Sequence, residues 1–193
     1  CTVTNTSDQK SRKMIRQARA KNKDAVVVAM GCFTQIRNND NQIMDFVDVV
    51  IGNKDKSKIV DLTEDYIKNK QKIAKIEDIN EADFDDMEIS YFNTRTRALV
   101  KIEDGCENFY SYCIIPYVRG RVRSKRPEKV IEEAKRLVKN GYKEIVLTGI
   151  HTGHYGADLK DYDFSDLLLE LEKIEGLDRI RISSIEITEL NDK

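Results

Sequence analysis

Two short apolar runs in the first third of the chain, Ala25–Met30 (AVVVAM) and Phe46–Ile51 (FVDVVI), constrain its fold more than any other feature. They are nearly continuous rather than alternating, so both faces of each strand must be covered. That is the pattern of a parallel sheet packed under helices. Each run stops at a glycine, Gly31 and Gly52. Helical patterns flank them, over Ser7–Lys21 and Lys56–Lys70. The first carries a narrow apolar stripe of Met14, Ile15 and Ala18, a cap at Thr6 or Ser7, and a basic polar face with Lys10, Arg12, Lys13, Arg16 and Arg19. This alternation predicts an open α/β domain over residues 1–76, with ligands gathered at the carboxyl ends of its strands.

An acidic linker follows over residues 77–94, densest at Asp78–Glu88 (DINEADFDDME). Beyond it the pattern is strand, helix, strand, helix, strand. The strands are Arg97–Glu103, Lys143–Ile150 and Arg179–Ile185, and the helices Pro127–Lys139 and Phe164–Ile174. Val130, Ile131, Ala134, Leu137 and Val138 give the first of these helices its buried face, and Leu167, Leu168 and Leu171 the second. Such an order opens a parallel (β/α) barrel over residues 95–193, on which chemistry sits at strand carboxyl ends.

At 193 residues, 40% hydrophobic and 35% charged, the chain reads as a soluble globular protein. No apolar run reaches the roughly 20 residues that span a bilayer, so no membrane partner is expected. Four cysteines are too few for a disulfide scaffold and fit a reducing, cytoplasmic location, where cysteines at special positions serve metal or chemistry. A start at Cys1 and an end in mid-pattern at Glu189–Lys193 read as a fragment. Net charge is −1, yet Arg119, Arg121, Arg123, Lys125 and Arg126 concentrate five cations in eight residues. If extended, Arg119, Arg121 and Arg123 project to one side as phosphate contacts; the plainer alternative is a solvated charged face.

The cations continue a stretch, DGCENFYSYCIIPYVRGRVRSKR from Asp104, that holds Cys106 and Cys113. Two thiolates at this spacing suit zinc, copper(I) or iron–sulfur, and alone are a weak signal. The whole stretch closely resembles the cluster loop of the radical S-adenosylmethionine methylthiotransferases, which reads Cys-x3-Cys-x-aromatic-Cys. The resemblance implies that Cys106 and Cys113 hold a [4Fe-4S] cluster and that Tyr112 lies beside the adenine of S-adenosylmethionine. The middle ligand position is Tyr110, a departure: phenols as a class stay largely neutral at pH 7, unlike thiolates. Tyr110 is therefore not expected to ligate, and a two-thiolate site would be labile or absent.

The segments CTVTNTSDQKSR at the start and VVVAMGCFTQ around Cys32 resemble the same family's amino-terminal domain. The resemblance implies a Rossmann-like domain whose Cys1 and Cys32 supply two of three ligands to an auxiliary [4Fe-4S] cluster. The ordinary alternative for Cys32 is a small buried apolar residue. A partial (β/α)6 radical barrel is implied for the second half. Thr148 and Gly149 are then expected at the methionyl amine. Ser183 and Glu186 are expected near the ribose or methionyl group, although Ser183 and Ser184 serve equally well to satisfy strand-end backbone. LTGIHTGHYG, with His151 and His154, looks like the subfamily acting on threonylcarbamoyladenosine in tRNA; three-residue spacing in a glycine-bracketed loop argues against a zinc pair. The implied reaction cleaves S-adenosylmethionine to a 5′-deoxyadenosyl radical and places a methylthio group on adenine C2. The other readings are a relative acting on isopentenyl-adenosine or a ribosomal-protein aspartate, a non-catalytic RNA-binding protein, and a two-thiolate zinc site completed from outside.

Overall fold

The computed structural model describes residues 2–37, 40–86 and 96–186. They fall into two compact units: Cys1–Asp85 with Asn108–Gly120, and Asp86–Glu107 with Arg121–Lys193. Both are α/β with parallel sheets, the class read from the alternation of patterns. No helix among the described residues is long and apolar enough to cross a membrane.

The first unit begins with helix α1, Asn5–Lys21. It starts two residues earlier than its pattern predicts because Thr4 is the cap, its hydroxyl oxygen accepting the Ser7 N–H at 3.1 Å. The expected apolar stripe is mostly turned to solvent: Met14 is 70% exposed, and of the three only Ile15 packs on the apolar cluster of Val27, Ala29, Val47 and Val50. Asp8, Arg12, Ile15 and Arg19, at i, i+4, i+7 and i+11, form the inner line instead. Asp8 is held by Arg12 Nε at 2.7 Å and by the Thr2 hydroxyl at 2.8 Å. Arg12 also reaches Asp40 at 2.5 Å. Ion pairs, more than apolar contact, seat this helix.

Strands β1 (Val28–Met30), β2 (Val49–Ile51) and β3 (Ile73–Lys75) are parallel and ordered β1-β2-β3. The third escapes sequence reading because three residues, IAK, between lysines carry no strand pattern. Gly31, at φ +100°, turns the chain from β1 straight into α2, Cys32–Arg37, so Cys32 stands at a strand end as expected. Short α3 (Asn41–Met44) and α4 (Ile59–Asn69) complete the layer, and α5 (Ile115–Arg119) packs on α2. The start of the acidic linker is folded too. A 3-10 turn at Ile79–Glu81 buries Ile79 and, after it, Ala82.

In the second unit β4 (Arg97–Lys101), β7 (Glu144–Thr148) and β8 (Arg179–Ile182) run parallel in the order β4-β7-β8. The predicted strand to Glu103 breaks at Ile102. Glu103–Asp104 becomes β5, antiparallel to β6, Arg123–Ser124. Helix α6 (Pro127–Lys139) contributes Val130, Ala134 and Leu137 to the core, and α7 (Phe164–Glu172) contributes Leu167 and Leu171. They close over Ala98, Val100, Ile145 and Leu147 of the sheet. Asp163 and Asp166 cap α7 reciprocally, each accepting the other's backbone N–H at 3.0 Å.

Asp48 anchors the first unit. Its buried carboxylate accepts the Val27 N–H at 2.7 Å, Arg19 Nη2 at 2.5 Å and the Tyr66 hydroxyl at 2.9 Å. Burial alone would raise this acid, but the three donors and the Arg19 charge outweigh it and hold it below its ordinary value. Its contribution is therefore complete above pH 3.8 and is lost as the pH falls below that. Asp48→Ala removes the counter-charge of Arg19 and the acceptor of the Val27 N–H, and urea unfolding should show a loss of about 3 kcal/mol.

Candidate functional site

Glu103 stands just beyond the carboxyl end of β4, against the segment that leaves β7. Its side chain is fully buried, with Oε2 accepting the His151 N–H at 2.8 Å and Oε1 lacking any hydrogen-bond partner. Desolvation is the main reason its acidity falls, the value rising to about 8; the Asp104 charge adds to this and the His151 N–H opposes it. At pH 7 this is a neutral acid with a proton to donate. Gly149 is required beside it, because a Cβ there would stand 2.6 Å from Glu103 Oε2. Thr148 donates its hydroxyl to the Val100 carbonyl at 3.2 Å, and Ser183 donates its N–H to the Leu147 carbonyl at 3.1 Å. Glu186 Oε1 lies 3.2 Å from His151 Nε2, and the His151 and His154 rings are 4.3 Å apart. Of the residues expected at strand ends, Gly149 lies against this carboxyl, Thr148 and Ser183 bond to strand backbone, and Glu186 stands beside His151. Sequence reading missed Glu103 because it saw only the end of a strand; an acid between Ile102 and a second acid, Asp104, was the available signal.

In the first unit Cys32 is the meeting point. Its Sγ accepts Arg119 Nε at 3.1 Å and Asn53 Nδ2 at 3.6 Å, and the same Asn53 amide reaches the Val118 carbonyl at 2.5 Å. Gln35 ties the neighbouring turn by accepting the Asn53 N–H at 2.8 Å. Two N–H donors aimed at one sulfur suit a thiolate or a metal-bound sulfur. Asn53, buried with its Oδ1 unpartnered, was not anticipated from sequence. Cys1, its expected companion, lies outside the described residues.

The cysteine loop is shared between the units: buried Cys106 belongs to the second, while Tyr110, Tyr112 and Cys113 belong to the first. The Tyr110 ring stacks on Tyr112, centroids 5.8 Å apart and planes within 5°. Phe109, at φ 24°, meets Tyr117 edge-on at 5.7 Å. All four rings are exposed, Tyr112 at 85%. With a phenol engaged in stacking where a third thiolate is needed, the donor set does not fit a three-thiolate cluster. No group of three or more Cys, His, Asp or Glu among the described residues has metal-site geometry.

The five cations expected as one strip are put to separate uses. Arg119 caps Cys32 from the end of a helix, not from extended chain. Arg123 is buried, its Nη1 donating to the Arg121 carbonyl at 3.2 Å and its Nη2 lying 3.9 Å from Asp104. Lys125 is buried with Nζ 2.7 Å from Glu133 and 3.3 Å from Asp86. Arg121 and Arg126 remain exposed. One-sided projection of Arg119, Arg121 and Arg123 therefore does not occur: β6 pairing draws Arg123 inward.

Residues 1–52 match the Uncharacterized protein family UPF0004. Over all of this chain and 43% of its own, the Bacillus subtilis threonylcarbamoyladenosine tRNA methylthiotransferase is 47% identical. The Aquifex aeolicus protein of that name is 39% identical over 99% of this chain and 47% of its own. A tRNA-2-methylthio-N(6)-dimethylallyladenosine synthase of Clostridium botulinum is 34% identical over 93% and 40%. The chain thus spans less than half the length of these relatives.

Between about pH 4.5 and 8 the folded protein keeps the Glu103 proton that the unfolded chain has released, so stability falls as pH rises across that window. Urea titrations at a series of pH values should show a decline of a few kcal/mol. Glu103→Gln, which still accepts the His151 N–H, should flatten it.

Proposed function

The chain is homologous from end to end to part of the tRNA methylthiotransferases, and from that premise we propose that the protein methylthiolates tRNA at C2 of N6-threonylcarbamoyladenosine beside the anticodon. The observation that carries this is 47% identity over the whole chain to a relative of that name, in a sequence that keeps LTGIHTGHYG. On this reading residues 1–76 are the amino-terminal methylthiotransferase domain and 77–94 a linker. Residues 95–193 begin a radical-type partial barrel. Cys1 and Cys32 serve an auxiliary iron–sulfur cluster, with Arg119 and Asn53 orienting the Cys32 sulfur. S-Adenosylmethionine is held over the strand ends by Thr148, Gly149, Ser183 and Glu186, and Tyr112 is the residue that the resemblance assigns to its adenine. Neutral Glu103 offers that pocket a hydrogen-bond donor from a water-poor wall. Arg121 and Arg126 are free to meet phosphate, whereas Arg119, Arg123 and Lys125 act on the RNA only through the loops they brace.

No radical step is assigned to the loop as it stands, because Cys106 and Cys113 supply two thiolates and Tyr110 a phenol. The Tyr110–Tyr112 stack favours a second reading, a tRNA-binding protein that has lost the cluster. One experiment separates them. In a strain lacking the methylthio nucleoside, the full-length protein with Tyr110→Cys should restore it, and the unaltered protein should give at least about tenfold less by mass spectrometry of tRNA hydrolysates. Absence of product from both, with tRNA binding intact, would establish the second reading instead.

A further inference from the structure

We propose that the outer face of α1 is an RNA-phosphate docking surface, an inference that rests on the tRNA reading above and names where the polyanion lies. The sequence places six cations on this helix, and the structure sorts them. Arg12 and Arg19 turn inward to Asp8, Asp40 and Asp48. Lys10, Lys13, Arg16 and Lys21 turn outward, are exposed, and make no ion pair among the described residues. At 3.6 residues per turn these four fall within about 140° of one another, opposite the inner line, over ~16 Å of helix. The helix's one acid, Asp8, is buried on the other side, so nothing on the outer face neutralises them. Asp24, the next acid, comes after the helix has ended.

Four unpaired cations along a rigid rod match a strand of phosphates better than a point ligand. A lipid surface is the less suitable polyanion. A membrane-seeking helix needs a broad apolar face to insert, and here Ile15 is committed to the core cluster, leaving Met14 as the single large apolar side chain exposed on α1. The neighbours on the outer face are small or polar, Thr6, Gln9, Gln17 and Ala20, all exposed. The predicted strip at Arg119–Arg126, by contrast, has two of its five cations buried. The first helix thus offers four exposed cations where that segment offers Arg121 and Arg126.

The test is the salt dependence of binding between the full-length protein and an unmodified tRNA transcript. With Lys10, Lys13, Arg16 and Lys21 all changed to Gln, the slope of log K against log salt should become shallower by about 3, and affinity near physiological salt should fall at least about tenfold. Exchanging the same residues Lys→Arg and Arg→Lys should leave the slope unchanged. Should the fourfold variant melt early, the pairs Lys10→Gln/Lys13→Gln and Arg16→Gln/Lys21→Gln should each give about half the change. An unaltered slope in the Gln variants would overturn this surface while leaving the tRNA reading intact. Loss of binding to phosphatidylserine vesicles with tRNA binding unaffected would overturn it in favour of lipid. If the unaltered protein fails to bind tRNA at all, the functional reading falls and this inference with it.

Discussion

Buried ends of parallel strands leave polar backbone groups that no further strand and no water can satisfy, and each unit of this protein is built around side chains that take over that duty. Asp48 accepts the Val27 N–H ahead of β1. Fully buried Thr34 offers its hydroxyl to the carbonyls of Gly31 and Ile51 at the ends of β1 and β2. In the second unit Glu103 accepts the His151 N–H, while the Thr152 hydroxyl and N–H both serve the Ser184 carbonyl. These contacts fix the loops in which the candidate site residues stand. Protonation and strand-end satisfaction are therefore not separable here: Glu103 keeps its proton because it is enclosed to perform the structural task.

Charge follows the same economy of place. A sequence with nearly equal numbers of acids and bases has cations to spare only where the fold leaves them unpaired. Arg12, Arg19, Arg123 and Lys125 are drawn to Asp8, Asp48, Asp104 and Glu133. Local density of arginine is thus a poor guide to a binding surface. A cation at a helix's inward position is an anchor, and the same residue type one position along is exposed to solvent.

The cysteine loop carries a conflict between resemblance and chemistry. Its surroundings resemble a three-thiolate cluster loop, down to an aromatic before Cys113, yet Tyr110 puts a ring where that resemblance calls for a thiol. The ring has found a partner of its own kind in Tyr112, offset stacking being worth on the order of 1 kcal/mol. Arg119, a few residues on, is tied to Cys32 and keeps α5 docked on α2 whatever the loop binds.

Much was legible in the chain alone. Period and punctuation gave the two sheets' main strands, helix α6 to the residue, and the α/β class, because continuous apolar runs and i, i+3, i+4 spacing report burial directly. The same runs located Cys32, Thr148, Gly149 and Ser183 at strand ends. What sequence order withheld was everything decided by partners distant along the chain. Strand β3 exists because β2 offers an edge, not because IAK favours it. Residues 108–120 group with the amino-terminal unit although the strand preceding them belongs to the other. Asn53 reaches Cys32 across 21 residues, Arg119 across 87, and His151 reaches Glu103 across 48. Local pattern records which side of an element is buried; only packing determines what is buried against it, and with that the protonation of an acid and the exposure of a cation.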